Sequence, residues 1–257
     1  MSTGQFLLEG WTWGGASLPV GAAALALYLA AFGFRRRLGY FAAAVGLALA
    51  TFMSPVGTLA DGYLFSAHML QHIALLLVVP ALALLGLPRA QSLALRPRAA
   101  GHPVVAWVAG VGAMWVWHAP ALCNAAVTSG PVHALQTVSL LLLGALFWRP
   151  ILAPREEERL PPPQAILYLF GACVACSVLG IILTLSPVTV CSVYAAPVDR
   201  LGLLHTLRDG WGMTPERDQQ IGGLLMWVPM CFIYLSAIMA QVARWFAGAG
   251  SPEAREA

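Results

Sequence analysis

Residues 64–87 read LFSAHMLQHIALLLVVPALALLGL, twenty-four positions without a formally charged side chain. An apolar helix needs about 20 residues to cross the ~30 Å hydrocarbon core of a bilayer, so this stretch predicts a transmembrane helix with Pro80 inside it. His68 and His72 stand one turn apart on a single face of that helix. The same pattern recurs on both sides. Apolar runs ended by breakers predict helices over 16–34, 38–54, 103–122, 131–148, 164–186 and 219–246. With 64–87 these make seven. Arg35, Arg36 and Arg37 stop the first, Pro55 follows the second, and an arginine-bearing loop precedes the fourth. The segment from Arg149 to Pro163, with Glu156, Glu157 and Glu158 followed by three prolines, reads as a solvated loop. Between helices six and seven lies the longest polar stretch, residues 187–218.

Composition agrees with that count. Of the 257 residues 59% are hydrophobic and 10% charged, against about 25% charged in a soluble domain. A soluble globular fold is excluded. The expected fold is all-α: one polytopic domain over 1–257, seven transmembrane helices, embedded in the lipid bilayer. No internal repeat appears. The first eight residues hold no Lys or Arg, so the first apolar run reads as a retained helix rather than a cleaved signal. All 14 basic residues are arginine, and nothing in their placement suits nucleic acid.

Arginines near helix ends stay on the cytoplasmic side. Seven helices put Arg35, Arg36, Arg37, Arg89, Arg96, Arg98, Arg149, Arg155, Arg159, Arg244 and Arg255 on one side, 11 of the 14. Arg200, Arg208 and Arg217 fall on the other. That split predicts an external N-terminus and a cytoplasmic C-terminus.

The orientation sorts the polar residues. His68 and His72 lie in the outer half of helix three, His118 closes helix four outside, and His133 opens helix five there. His205 lies in the long outer loop, and only His102 sits at the cytoplasmic mouth. Ionisable groups at membrane depth are costly and usually functional. A histidine at a helix end often only hydrogen-bonds a neighbour, but the His68–His72 pair inside an apolar run has to find partners in the bundle. Imidazole suits copper, zinc or iron, and soft sulfur nearby favours monovalent copper. Met69, Met114 and Met226 supply that sulfur near the same level, with Met53 at the end of helix two. The expected metal site is therefore His68, His72, His118 and His133, with Met69, Met114 and Met226 close by. Any one of these methionines also serves as core packing. Cys123 and Cys191 fall in outer loops, where either a disulfide or a copper ligand is open. The C-x-x-C of Cys173 and Cys176 lies inside helix six and reads as small packing residues. Asp218 reads as an acidic N-cap of helix seven, Gly222 and Gly223 allow close helix approach, and Pro229 should kink that helix. No nucleophile stands beside a base, and no phosphate loop is present.

Four segments resemble a known family, the CtaG-type cytochrome c oxidase assembly factors associated with caa-type oxidases. They are S-A-H-M-L-Q-H from Ser66, W-H-A-P from Trp117, V-H-A-L from Val132 with G-A-L-F-W-R-P up to Pro150, and D-Q-Q-I-G-G-L-L-M-W-V-P from Asp218. The resemblance covers helices three to seven. It implies a seven-helix, non-enzymatic protein of the bacterial plasma membrane, needed for maturation of haem-copper oxidase and handling copper at the outer face. Cytochrome c oxidase subunits would be its partners. The sequence departs from the family in helix five, where the pattern H-x-x-E-H is here His133, Ala134, Leu135, Gln136, Thr137. One ligand of the family set is missing, and His205 with Cys191 in the outer loop is the candidate replacement.

Two other functions fit these residues. Histidines on neighbouring helices can hold haem b for electron transfer, and a metal-free accessory subunit of an oxidase needs no ligand at all. Topology is tested by substituted cysteines in a background lacking the native ones. In intact cells a membrane-impermeant maleimide should label His205→Cys and spare Glu156→Cys; the reverse pattern overturns the orientation.

Overall fold

The computed structural model describes residues 2–34, 36–89 and 102–249. Arg35, Arg96, Arg98 and Arg255 of the charge count lie outside them. The described residues form helices and no strand. A short α1 (Thr3–Glu9) begins at a capping box in which Ser2 and Gln5 bond each other's backbone. Two apolar helices follow, α2 (Ser17–Phe32) and α3 (Leu38–Met53), and α4 (Pro55–Ala60) turns the chain into α5 (Phe65–Ile73).

From α5 the chain continues through a wider π turn, Ala74–Val78, into α6 (Val79–Gly86), so that Phe65–Gly86 is a single span. Pro80 accounts for the widening. It offers no N–H to the Leu76 carbonyl, and its ring crowds that oxygen. The neighbouring helix α9 (Gly130–Leu152) meets this place with Gly144, where an added Cβ would collide with the Leu76 oxygen and lie 2.9 Å from Pro80 Cγ. Only a residue without a side chain lets the two backbones approach this closely.

Helix four does not run straight to residue 122. It ends at Trp117 as α7 (Pro103–Trp117) and resumes as α8 (Pro120–Thr128), bent by 75°. Pro120 disfavours the helical region for Ala119, which is extended at φ −60°, ψ 128°. Helix five is longer than expected, because Arg149 and Pro150 belong to its last turn rather than to the loop. The remaining helices are α10 (Pro162–Leu185) and α11 (Pro215–Ala249), the latter continuous through Pro229. They pack closely at small residues: a Cβ on Gly180 would lie 2.8 Å from Trp227 Cβ, and one on Gly223 would strike Thr184.

The chain is thus a helical membrane protein. Four described helices are long and apolar enough to cross a bilayer, namely Phe65–Gly86, Gly130–Leu152, Pro162–Leu185 and Pro215–Gly248. The bent α7–α8 pair makes a fifth if taken as one span. Helices α2 and α3 are apolar but have 16 residues each, short of the ~20 of a full crossing.

The stretch 187–218 is a packed cap rather than a loose loop. Its Leu203 and Leu207 join Phe6, Leu59, Ala60, Tyr63, Leu64 and Ala67 in a small second core. A disulfide, Cys123–Cys191, ties it to α8, and Tyr194 Oη donates to the Ala60 carbonyl at 2.7 Å. At the opposite end, arginines close helix C-termini. Arg37 donates to the carbonyls of Leu85 and Leu87, and Arg159 to that of Ala153 at 2.6 Å.

Candidate metal centre

Leu64, the residue before α5, has no side chain able to cap it. The cap comes from α11: Asp218 Oδ2 accepts from Phe65 N at 2.7 Å and Oδ1 from Ser66 N at 3.0 Å. Asp218 is fully buried and lies one turn inside its own helix, which starts at Pro215. Its expected role as N-cap of that helix is corrected to that of a cap on α5. A second buried contact fixes the same helix, since Gln71 Nε2 donates to the Thr51 carbonyl of α3 at 2.7 Å. Held at its start and along its side, α5 turns His68, Met69 and His72 into the bundle, where all three are buried.

His118, the C-cap of α7, comes to meet them. The ring centroids of His68 and His72 are 4.5 Å apart, and those of His72 and His118 are 5.0 Å apart. His118 Nδ1 lies in hydrogen-bond contact with the Met114 carbonyl. A carbonyl only accepts, so Nδ1 carries the proton and Nε2 is left with a lone pair. That lone pair faces Met69 Sδ at 3.0 Å. Two Lewis bases thus face each other with no hydrogen between them. Bonds of ~2.0 Å to nitrogen and ~2.3 Å to sulfur would span this gap at roughly 90°. Nearby, His68 Nε2 and both ring nitrogens of His72 are buried without a hydrogen-bond partner, which costs free energy unless something satisfies them.

These donors fit a soft or borderline transition metal. Two imidazole rings whose nitrogens bind one ion at ~2.0 Å have centroids roughly 5 Å apart at a tetrahedral angle, the separation seen here. The nitrogens themselves are not gathered about one point, and among the described residues no three His, Cys, Asp or Glu side chains form a metal-holding group. Rotation of the rings would be needed.

His133 is not brought into ring contact with these histidines. Its ring stands 6.3 Å from Phe52, and it lines an apolar groove of about 650 Å³ with Ser17, Phe52 and Thr137. Gln136, one turn further along α9, is buried and faces His72 rather than the groove. Met114 and Met226 are fully buried. Met114 contributes its carbonyl to His118, while Met226 lies one turn beyond Gly222, the residue packed against Met69. The expected replacement ligands are overturned. Cys191 is consumed by the disulfide, and His205 is exposed and paired with Asp209 at 2.7 Å. Tyr194, missed in the sequence, covers the group with its ring 5.9 Å from that of His68. His102 merely caps α7, accepting from Val104 N.

Fold and site together define a helical membrane protein with a buried imidazole and thioether cluster under the packed 187–218 cap. The chain matches the family model of the cytochrome c oxidase caa3 assembly factor over residues 26–248 and belongs to that family. It is also similar to uncharacterised proteins of Mycobacterium bovis and Mycobacterium tuberculosis, 27% identical over 261 residues in each case. A Mycobacterium leprae protein, also uncharacterised, is 27% identical over 263 residues. These matches take in 88% of this chain but only 38% of each relative. No solved structure matches.

The α5 cap is testable. Asp218→Ala leaves two buried N–H groups unsatisfied and should cost about 2 kcal/mol of stability, with Asp218→Asn, which keeps one acceptor, milder. Thermal unfolding in detergent measures both. An alanine variant as stable as the parent removes the cap from the explanation.

Proposed function

We propose that the chain serves haem-copper oxidase assembly by binding copper at the outer face of a bacterial plasma membrane and passing it to an oxidase subunit. Its role in this scheme is binding and transfer, without catalysis. The carrying observation is the set of buried, unpartnered nitrogens of His68 and His72 beside the facing lone pairs of His118 Nε2 and Met69 Sδ. Such atoms are retained at an energetic cost that a bound ion would offset. Copper suits a set of imidazoles with a thioether. His133 is an outlying member, and Met114 and Met226 are soft side chains buried in the same core as Met69. Haem b fits less well for the two ring pairs in contact, because two imidazoles on opposite faces of one iron need centroids roughly 6 Å apart, wider than the 4.5 Å of His68–His72 and the 5.0 Å of His72–His118.

The topology we propose has seven crossings, with α2 and α3 as short spans and the N-terminus outside. Two independent features support this sidedness. Most arginines gather at one end, and the Cys123–Cys191 disulfide, at the other end with the histidines, suits an oxidising exterior.

His68→Ala or His72→Ala should abolish oxidase activity and lower oxidase copper while the protein stays inserted and abundant. His133→Ala should be milder, since that ring lies off the cluster. Oxidase assays on membranes, with protein level followed by immunoblot, decide this. Normal oxidase with both α5 histidines replaced rejects copper handling by the pair and favours a metal-free accessory role.

A further inference from the structure

Among the described residues the three free cysteines lie together where α10 and α11 cross. Cys173 Sγ is 3.5 Å from Cys231 Sγ, and Ser177 Oγ is 3.3 Å from Cys231 Sγ. Cys176, on the turn after Cys173, is buried with its Sγ 3.7 Å from Tyr234 Oη. The C-x-x-C of α10 alone reads as small packing residues, and Ala172 and Gly180 in the same helix show that small residues suffice there. Packing does not account for a third cysteine arriving from another helix to face the first. Cys173 is the twelfth residue of the 24 in α10, which puts the pair near the middle of the bilayer.

We propose that Cys173 and Cys231 form a second metal site, separate from the histidine cluster and selective for cuprous ion. Sulfur donors select monovalent copper, and two donors are enough for it, whereas zinc takes four ligands. To admit the ion in the linear arrangement that two donors give cuprous copper, the sulfurs need to part by about 1 Å, because two bonds as long as the ~2.3 Å of zinc–sulfur place them ~4.6 Å apart. Charge favours the same ion. One cysteine gives its proton to water as its sulfur bonds copper, and the second binds as a neutral thiol. The resulting thiolate–copper pair carries no net charge, as apolar surroundings require. Ser177 donates its hydroxyl hydrogen toward the thiolate.

The site is linked to the histidines by soft side chains. On α11 Gly222 lies against Met69, Met226 and Met230 follow at successive turns and are fully buried, and Tyr234 at the next turn touches Cys176. From 222 to 231 the helix rises about 14 Å. The inference rests on the copper-handling proposal for the identity of the metal alone.

The full chain, purified and titrated anaerobically with cuprous ion against bicinchoninate, tests it. The C173S/C231S variant should take up about one equivalent less than the unsubstituted chain, and H68A/H72A should keep that equivalent. In the unsubstituted chain, cuprous ion should also protect Cys173 and Cys231 from alkylation, read by mass spectrometry, which needs no variant to fold. Equal uptake by the parent and C173S/C231S, or unprotected thiols, overturns the site. Loss of all uptake in H68A/H72A overturns it too, while leaving the copper role of the histidines intact. Retained thiol-held copper with normal oxidase in H68A/H72A instead removes the function proposed for the histidines and keeps this site.

Discussion

A buried carboxylate holds the start of the histidine helix. Asp218, near the beginning of α11, accepts from the first two amides of α5 at 2.7 and 3.0 Å. These amides are orphan donors at the positive end of a helix, so the contact joins a charge to a dipole within the protein interior. It fixes the depth and rotation of α5, and with them the inward direction of His68, Met69 and His72. Gly222, one turn on, lets the same helix close against Phe65 and Met69. The segment D-Q-Q-I-G-G-L-L-M-W therefore acts largely through its neighbours: Asp218 caps α5, Gln219 anchors the cap residues Val188 and Val190, Gly222 admits α5, and Gly223 admits Thr184 of α10.

The two ends of the bundle are finished differently. On the histidine side the cap is stapled by Cys123–Cys191 and by Tyr194, whose hydroxyl reaches the Ala60 carbonyl while its ring covers His68. Such a roof excludes water from the imidazoles and strengthens any bond made to them. On the other side, guanidinium groups satisfy the carbonyls at the ends of α6 and α9. Arginine thus does structural service there.

Much of this was legible locally. The span read as 64–87 is observed as Phe65–Gly86, because an uncharged run with turn residues at both ends leaves little choice of boundary. The i, i+4 spacing of His68 and His72 placed both rings on one face, and His118 was correctly read as a helix end. What failed depended on distant contacts or competing local rules. Pro120 forced a bend that a purely apolar pattern conceals. Asp218 fits the rule for an N-cap, but its partner is 153 residues away in the chain. His133 stands apart from these cases: grouped with the ligands by depth, it has its ring beside Phe52 in the opening turn of α9, at the groove against α2 and α3 and outside ring contact with the other histidines. The polar stretch 187–218 hid the apolar residues Leu203, Leu207 and Tyr194 that pack it down.

The central claim is that the imidazole cluster is kept for copper. Metal content and the visible spectrum of the purified full chain, loaded with copper and compared with H68A/H72A, test it most directly. The proposal predicts a colourless protein that retains histidine-bound copper, seen as a copper–nitrogen shell by X-ray absorption and lost in the double variant. A Soret band, or copper uptake unchanged by removal of both histidines, would contradict it.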